Sequence, residues 1–194
     1  MSDYILGIDP GPVESAYVCV SDDQKVLFAD KVGNDLLIAR LKDRSQRAYL
    51  PRHVAIESIK SFGKRVGAET FETCRMEGRI LQLCADLKIP CFQYGRMKYG
   101  KTLIGEGTVI NDTLLRRALL LRFGGDGETV SDEVIPDGEP GAGVYLNGPR
   151  KGQPRVREVR IPEPLHTLVG CSDKRSAFAV AIYHLDVSHS LPTA

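Results

Sequence analysis

The sequence predicts an α/β fold, and three observations carry that expectation. Five segments of strand length, apolar or alternating, fall in the first half of the chain: Tyr4–Asp9, 15–20, 25–32, 51–57 and 89–94. Four longer segments with helical spacing are interleaved with them or follow them. The chain has 194 residues, 42% hydrophobic and 26% charged, which suits one soluble core, a single domain over 1–194 with an inserted arm at about 124–164.

Tyr4–Asp9 (YILGID) is an apolar run ending in Asp-Pro-Gly, the chemistry of a strand entering a turn. Residues 15–20 and 25–32 alternate, with Asp22 and Asp23 turning the chain between them, so the first three strands make a meander. Residues 34–44 read as a helix capped by Asn34 or Asp35, with Leu37, Ile38 and Leu41 on one side. The strand at 51–57 (PRHVAIE) is apolar until it stops at a carboxylate. Ala68–Leu87 is the longest helical segment. Phe71, Cys74, Gly78, Leu81 and Ala85 follow one stripe, and Met76, Ile80, Leu83 and Leu87 follow a second beside it. So wide an apolar arc implies burial on two sides, either deep in the core or with one face against another subunit. Residues 89–94 form a fifth strand and 111–123 another helix.

Residues 124–164 differ in kind: rich in glycine and proline, poor in apolar side chains, with short extended pieces at 143–146 and 155–161. They read as a surface arm or hairpin. Residues 172–186 are a final helix, capped by Ser172, with Asp173 in its positive first turn and AFAVAI in its buried middle.

A net charge of +1 excludes any argument from excess basicity to nucleic-acid binding. The distribution says more. Residues 1–23 carry acids and no Lys or Arg, residues 60–101 are locally basic, 124–140 are acidic, and 147–175 are basic again. Such blocks can set a phosphate-binding surface beside an acidic pocket, or can be solvated faces and nothing more. No apolar run approaches the roughly 20 residues of a membrane-spanning helix, the N-terminus lacks a signal peptide's pattern, and a cytoplasmic location without membrane contact is expected. Five cysteines, at 19, 74, 84, 91 and 171, form neither a CxxC pair nor a Cys/His cluster, which argues against a zinc site or a disulfide framework.

Two apolar strands deliver acids, Asp9 and Glu57, and Asp173 opens the last helix. One acid after a strand usually marks a turn. Three on elements that pack together suggest a carboxylate cluster, which stays charged only if something neutralises it. An all-oxygen set without histidine favours Mg²⁺, with Mn²⁺ as a substitute, and suits phosphodiester hydrolysis. The histidines at 53, 166, 184 and 189 read as packing or surface residues.

GIDPG in the first strand, VAIES in the fourth, KTLIGEG after the fifth and DKRSAFAVAIYH in the last helix, in this order and at these intervals, resemble the RuvC family of Holliday junction resolvases, within the RNase H-like superfamily. The resemblance covers about 5–123 and 171–184. It implies an RNase H-like mixed five-stranded sheet, three strands antiparallel, with helices on both faces. It also implies a Mg²⁺-dependent, structure-selective endonuclease that nicks branched DNA symmetrically as a homodimer and leaves a 5′-phosphate. Asp9, Glu57 and Asp173 would then hold the metals. The family's last helix carries D-x-x-D-A, whereas this chain has Asp173-Lys174-Arg175-Ser176-Ala177. Ser176 can line the site but brings no charge, which implies weaker metal binding than a four-acid site.

Lys101 matches a basic residue of the family's loop beside the scissile phosphate, and could contact phosphate or stabilise transition-state charge. Where the family often has a further Lys, this chain has Asn111-Asp112. Phe62, Lys64 and Arg65 follow Glu57 in a segment that in the family enters the junction centre, where an aromatic could stack on a base and cations hold phosphates. Tyr94, Arg96, Lys98 and Tyr99 repeat that mixture, and Arg150, Lys151, Arg155, Arg157 and Arg160 give the arm a basic stripe that could follow a duplex. A branch-migration helicase partner is not legible in these residues. Two other classes compete: a junction-binding protein of the same fold without catalysis, favoured if Ser176 weakens the site too far, and an actin-like phosphotransferase, suggested only by GIDPG and disfavoured by the chain's length.

Overall fold

A computed structural model of the protein describes residues 4–43, 51–59, 66–107, 109–123, 163–168 and 171–189. The strands are β1 (Tyr4–Asp9), β2 (Glu14–Ser21), β3 (Val26–Gly33), β4 (His53–Ser58) and β5 (Cys91–Gly95). The helices are α1 (Asn34–Lys42), α2 (Ala68–Leu87), α3 (Arg96–Ile104), α4 (Asp112–Arg122) and α5 (Ser172–His189), with a 3-10 turn at Glu163–Leu168. The sheet order is β3-β2-β1-β4-β5. β1, β2 and β3 are antiparallel, whereas β4 runs parallel to β1 and to β5, so the sheet is mixed as expected.

Strand periodicity sorts the core into two layers. Leu6, Ile8, Tyr17, Val32, Val54 and Ile56 point to one face and pack with Leu37 and Ile38 of α1 and Met76, Ile80 and Leu83 of α2. Ile5, Ala16, Val18, Ala55 and Tyr94 point to the other, against Ala177, Phe178, Ala181 and Ile182 of α5. α5 lies between the sheet and helices α3 and α4, which is why every residue from Ser176 to Leu185 is buried. Gly7 lets α5 approach β1: a Cβ there would stand 2.0 Å from the Ala177 carbonyl oxygen.

Four expectations need correction. Residues 96–104 form helix α3, so Lys101 stands in a helical last turn and not in a loop. Of the two readings of α2, burial deep in the core is overturned: Thr73, Met76, Glu77, Ile80, Leu83 and Cys84 face inward, while Phe71, Cys74, Gly78 and Ala85 face outward, which leaves the reading with one face against another subunit. Gly33, not Asn34 or Asp35, is the N-cap of α1. Ser172 is the first helical residue of α5, and its hydroxyl donates to Asp173 Oδ1 at 3.0 Å instead of capping a backbone amide.

Phe62, Lys64 and Arg65 lie outside the described residues, as do the extended pieces at 143–146 and 155–161 and the basic stripe from Arg150 to Arg160. Among the described residues no helix is long and apolar enough to cross a membrane.

Candidate active site

The sheet's register assembles the site. β1 and β4 run parallel, with Ile8 opposite Ile56, so Asp9 and Glu57 leave neighbouring C-terminal strand ends on the face covered by α5. Across the other side of β1, Asp9 is opposite Ala16, and Ala16 is opposite Lys31. Lys31 therefore shares Asp9's row and face, two strands away. The turn after Asp9 is tied down by side chains. The Gly11 amide donates to Ser15 Oγ (3.3 Å), Ser15 Oγ donates to Asn34 Oδ1 (2.7 Å), and Asn34 Nδ2 donates to the Gly11 carbonyl (3.0 Å). Asn34 thus serves the turn and not a helix cap.

Glu57 is 12% exposed in its side chain and is held from α3 at both oxygens. The buried Tyr99 donates its hydroxyl to Oε2 at 2.7 Å, and Arg96 Nη1 lies 3.8 Å from Oε1. Arg96 also pairs with Asp112 in the first turn of α4, which Asn111 caps by accepting from the Leu114 amide. Asp173, in the first turn of α5, forms an ion pair of 2.9 Å with Lys31, whose ammonium is also 3.6 Å from Glu14.

The electrostatics follow from that packing. Burial first, then the neighbouring charges of Glu57 and Asp173, push the Asp9 carboxyl well above the usual carboxylate range. Burial raises Glu57 too, opposed by the hydrogen bond from Tyr99 and the charge of Arg96. Burial acts to raise Asp173 as well, but hydrogen bonds from Lys31 and Ser172 outweigh it and hold this carboxyl below its ordinary value. Asp9 stands as the frustrated acid of the three: among the described residues no ion pair reaches it.

The other expected residues are distributed around this centre. Ser176, 2% exposed, is buried in α5 one turn beyond Asp173. Lys98 and Lys101 are exposed on α3, with the Lys98 ammonium 5.7 Å from the centroid of the Tyr94 ring. Tyr94 and Tyr99 are themselves buried, so neither offers a face for stacking on a base. Arg96 points into the acids. Sequence reasoning missed Lys31, Asp112 and the role of Tyr99. Only cross-strand register reveals Lys31, and Asp112 was legible solely as the departure after Asn111.

Among the described residues no group of three or more His, Cys, Asp and Glu side chains is placed to hold a metal ion. Asp9, Glu57 and Asp173 offer hard oxygen donors, and the repulsion at Asp9, which the charge of Arg96 only partly offsets, is what a divalent cation would relieve, so the donor chemistry fits Mg²⁺ or Mn²⁺. The geometry is not closed around one, and Lys31 and Arg96 engage Asp173 and Glu57.

No protein-family model and no curated protein sequence matches the chain. Among solved structures, Thermus thermophilus RuvC in complex with a Holliday junction substrate is similar over 96% of this chain and 95% of its own, with a TM-score of 0.56 and 16% identity. Another structure of Thermus thermophilus RuvC is similar over 95% of this chain and 96% of its own, at TM-score 0.56 and 15% identity. A putative sugar kinase from Cytophaga hutchinsonii is similar over only 54% of this chain and 41% of its own, at TM-score 0.34 and 13% identity. The five-stranded mixed sheet, its helices on both faces and these two likenesses together give the chain a RuvC-like, RNase H-like fold.

Proposed function

We propose that the chain is a divalent-metal-dependent endonuclease that resolves Holliday junctions or related branched DNA by paired symmetric nicks, acting as a homodimer. The observation that carries this reading is the adjacency of Asp9 and Glu57 at parallel strand ends, electrostatically linked to Asp173 at the head of α5. When bound by Asp9, Glu57 and Asp173, Mg²⁺ or Mn²⁺ would orient water, lower its pKa and stabilise the leaving oxyanion. The chain's own residues do the rest. Tyr99 orients Glu57 through its 2.7 Å hydrogen bond, the Gly11–Ser15–Asn34 network fixes the turn that carries Asp9, and exposed Lys98 and Lys101 on α3 offer cations to backbone phosphate. The RuvC-like fold and the junction held by the similar Thermus thermophilus protein support branched DNA as the substrate class. A homodimer would put two sites about a twofold axis, as two symmetric nicks require. The outward stripe of Phe71, Cys74 and Gly78 on α2 is consistent with a subunit contact.

A second reading, junction binding without cleavage, is favoured by Ser176, which brings no charge where the family pattern has an acid. The test is cleavage of a labelled four-way junction in Mg²⁺ or Mn²⁺, wild type against Asp9→Asn. Loss of paired nicks in the variant supports the enzyme; tight binding with no cut in either metal selects the second reading.

A further inference from the structure

We propose that Lys31 and Arg96 are built-in counter-ions of the acid site, which must leave Asp173 and Glu57 before a divalent cation is held there, and which backbone phosphate then takes over. This rests on the metal-dependent reading above and deepens it.

Both carboxylates that flank Asp9 carry a cation of the chain itself. Lys31 Nζ lies 2.9 Å from Asp173 Oδ2, and Arg96 Nη1 lies 3.8 Å from Glu57 Oε1 while its other amine pairs with Asp112. The two cations reach in from opposite sides. Lys31 comes from the edge strand β3, along the row that passes through Ala16 to Asp9, and Arg96 comes from the N-terminus of α3. Each is about one third exposed in its side chain, 36% for Lys31 and 34% for Arg96, so each can exchange its carboxylate for a solvent-side anion. The Lys31–Asp173 pair, partly in water on both sides, holds weakly, and Arg96 reaches the largely buried Glu57 only at 3.8 Å, beyond hydrogen-bond distance, so neither cation is locked onto its acid. Two cations beside three acids also explain how the cluster exists without a metal.

The consequence is a site with low metal affinity in the free protein. A divalent cation entering between Asp9, Glu57 and Asp173 meets two positive charges and competes for the same oxygens. An incoming phosphodiester removes both obstacles, because phosphate accepts hydrogen bonds from ammonium and guanidinium alike. Metal and DNA then strengthen each other's binding by the same factor, as linkage requires.

The first arm of the test measures Mn²⁺ binding to the full chain without DNA, by electron paramagnetic resonance of the free ion. Lys31→Met and Arg96→Met should each bind Mn²⁺ about tenfold more tightly than wild type, the scale of one close opposite charge removed. Lys31→Arg, which keeps the charge, should stay at the wild-type value. Thermal melting of each variant verifies the fold. If Lys31→Met and Arg96→Met bind as wild type does, or more weakly, while Asp9→Asn loses Mn²⁺, the counter-ion proposal is overturned and the acid-site reading survives. If Asp9→Asn binds as wild type does, both fall. The second arm measures junction binding against salt concentration with Ca²⁺ as the divalent probe. Lys31→Met should lose roughly one unit of the log–log slope, the signature of one lost phosphate contact. An unchanged slope removes the phosphate handover.

Discussion

Tyr99 donates its hydroxyl to Glu57 Oε2 at 2.7 Å, and so fastens helix α3 to the end of β4 from a position with no solvent exposure. Tyr99→Phe keeps the ring's packing and deletes only that bond. The expected cost in unfolding free energy is about 1 kcal/mol, read by urea denaturation. The expected loss in single-turnover cleavage is roughly tenfold, the scale of removing a partner that orients a ligand. Equal activity in the two proteins would mean that Glu57 does not need this orientation. The same bond holds the Glu57 carboxyl down against burial, so its loss should also move the acid limb of the pH–rate profile upward.

Asp9 stores a stability cost. Its pKa is raised in the folded chain by burial and by the charges of Glu57 and Asp173. A carboxyl with a raised folded pKa binds its proton more tightly in the native state, so stability is lost as pH rises from the unfolded value through the folded one. Asp9→Asn should therefore raise the melting temperature of metal-free protein at neutral pH while abolishing cleavage. Calorimetry in the presence of a chelator checks it, and a lower melting temperature would contradict the electrostatic picture.

His184 works in the opposite direction. Its ring accepts or donates between Tyr94 (2.8 Å) and His53 (3.0 Å), and burial, then the neighbouring His53 and Arg52, lower its pKa from 6.5 to about 4. The unfolded chain takes up this proton first, so stability is full above about pH 6.5 and falls as pH drops toward 4. His184→Gln cannot titrate, and its urea midpoint should depend less on pH across that window. Parallel pH curves for the two proteins would rule out this origin of acid sensitivity.

Gly7→Ala tests how closely the last helix must sit on the sheet. The added methyl would meet the Ala177 carbonyl oxygen at 2.0 Å and the Ala181 Cβ at 2.8 Å, so α5 must shift. A destabilisation of about 3 kcal/mol is expected, at the upper end of ordinary overpacking. Because Asp173 rides on α5, cleavage should fall further than stability alone explains; urea unfolding and cleavage measured together separate the two.

The residues differ in how openly they announced these roles. Tyr4–Asp9 was legible to its ends, because a short apolar run and the Pro10-Gly11 that follows Asp9 are local signals. The buried middle of α5 was equally plain. Helix α3 was not: RMKYGKTLI has a glycine in its centre, no side-chain cap and only Tyr99 and Gly100 buried, so its periodicity is faint. Phe71 and Cys74 read as core or as a face against another subunit, and they face outward, because hydropathy alone does not say which of two stripes meets the sheet. Asp9, Glu57 and Asp173 stood out as acids closing or opening apolar elements. Lys31 did not, since its relation to Asp173 depends on the register of three strands and the seat of α5. Arg96 and Tyr99 looked like a surface for DNA and instead turn toward Glu57, a direction set by α3 itself.

The most direct measurement is cleavage of a labelled mobile four-way junction against a linear duplex of the same sequence, in Mg²⁺ and in Mn²⁺, with wild type, Asp9→Asn and Glu57→Gln side by side. The expected result is paired, symmetric nicks in the junction by wild type alone, with the duplex intact. Tight junction binding by wild type with no nick in either metal would contradict it, and would leave Asp9, Glu57 and Asp173 as the remains of a site that no longer cuts.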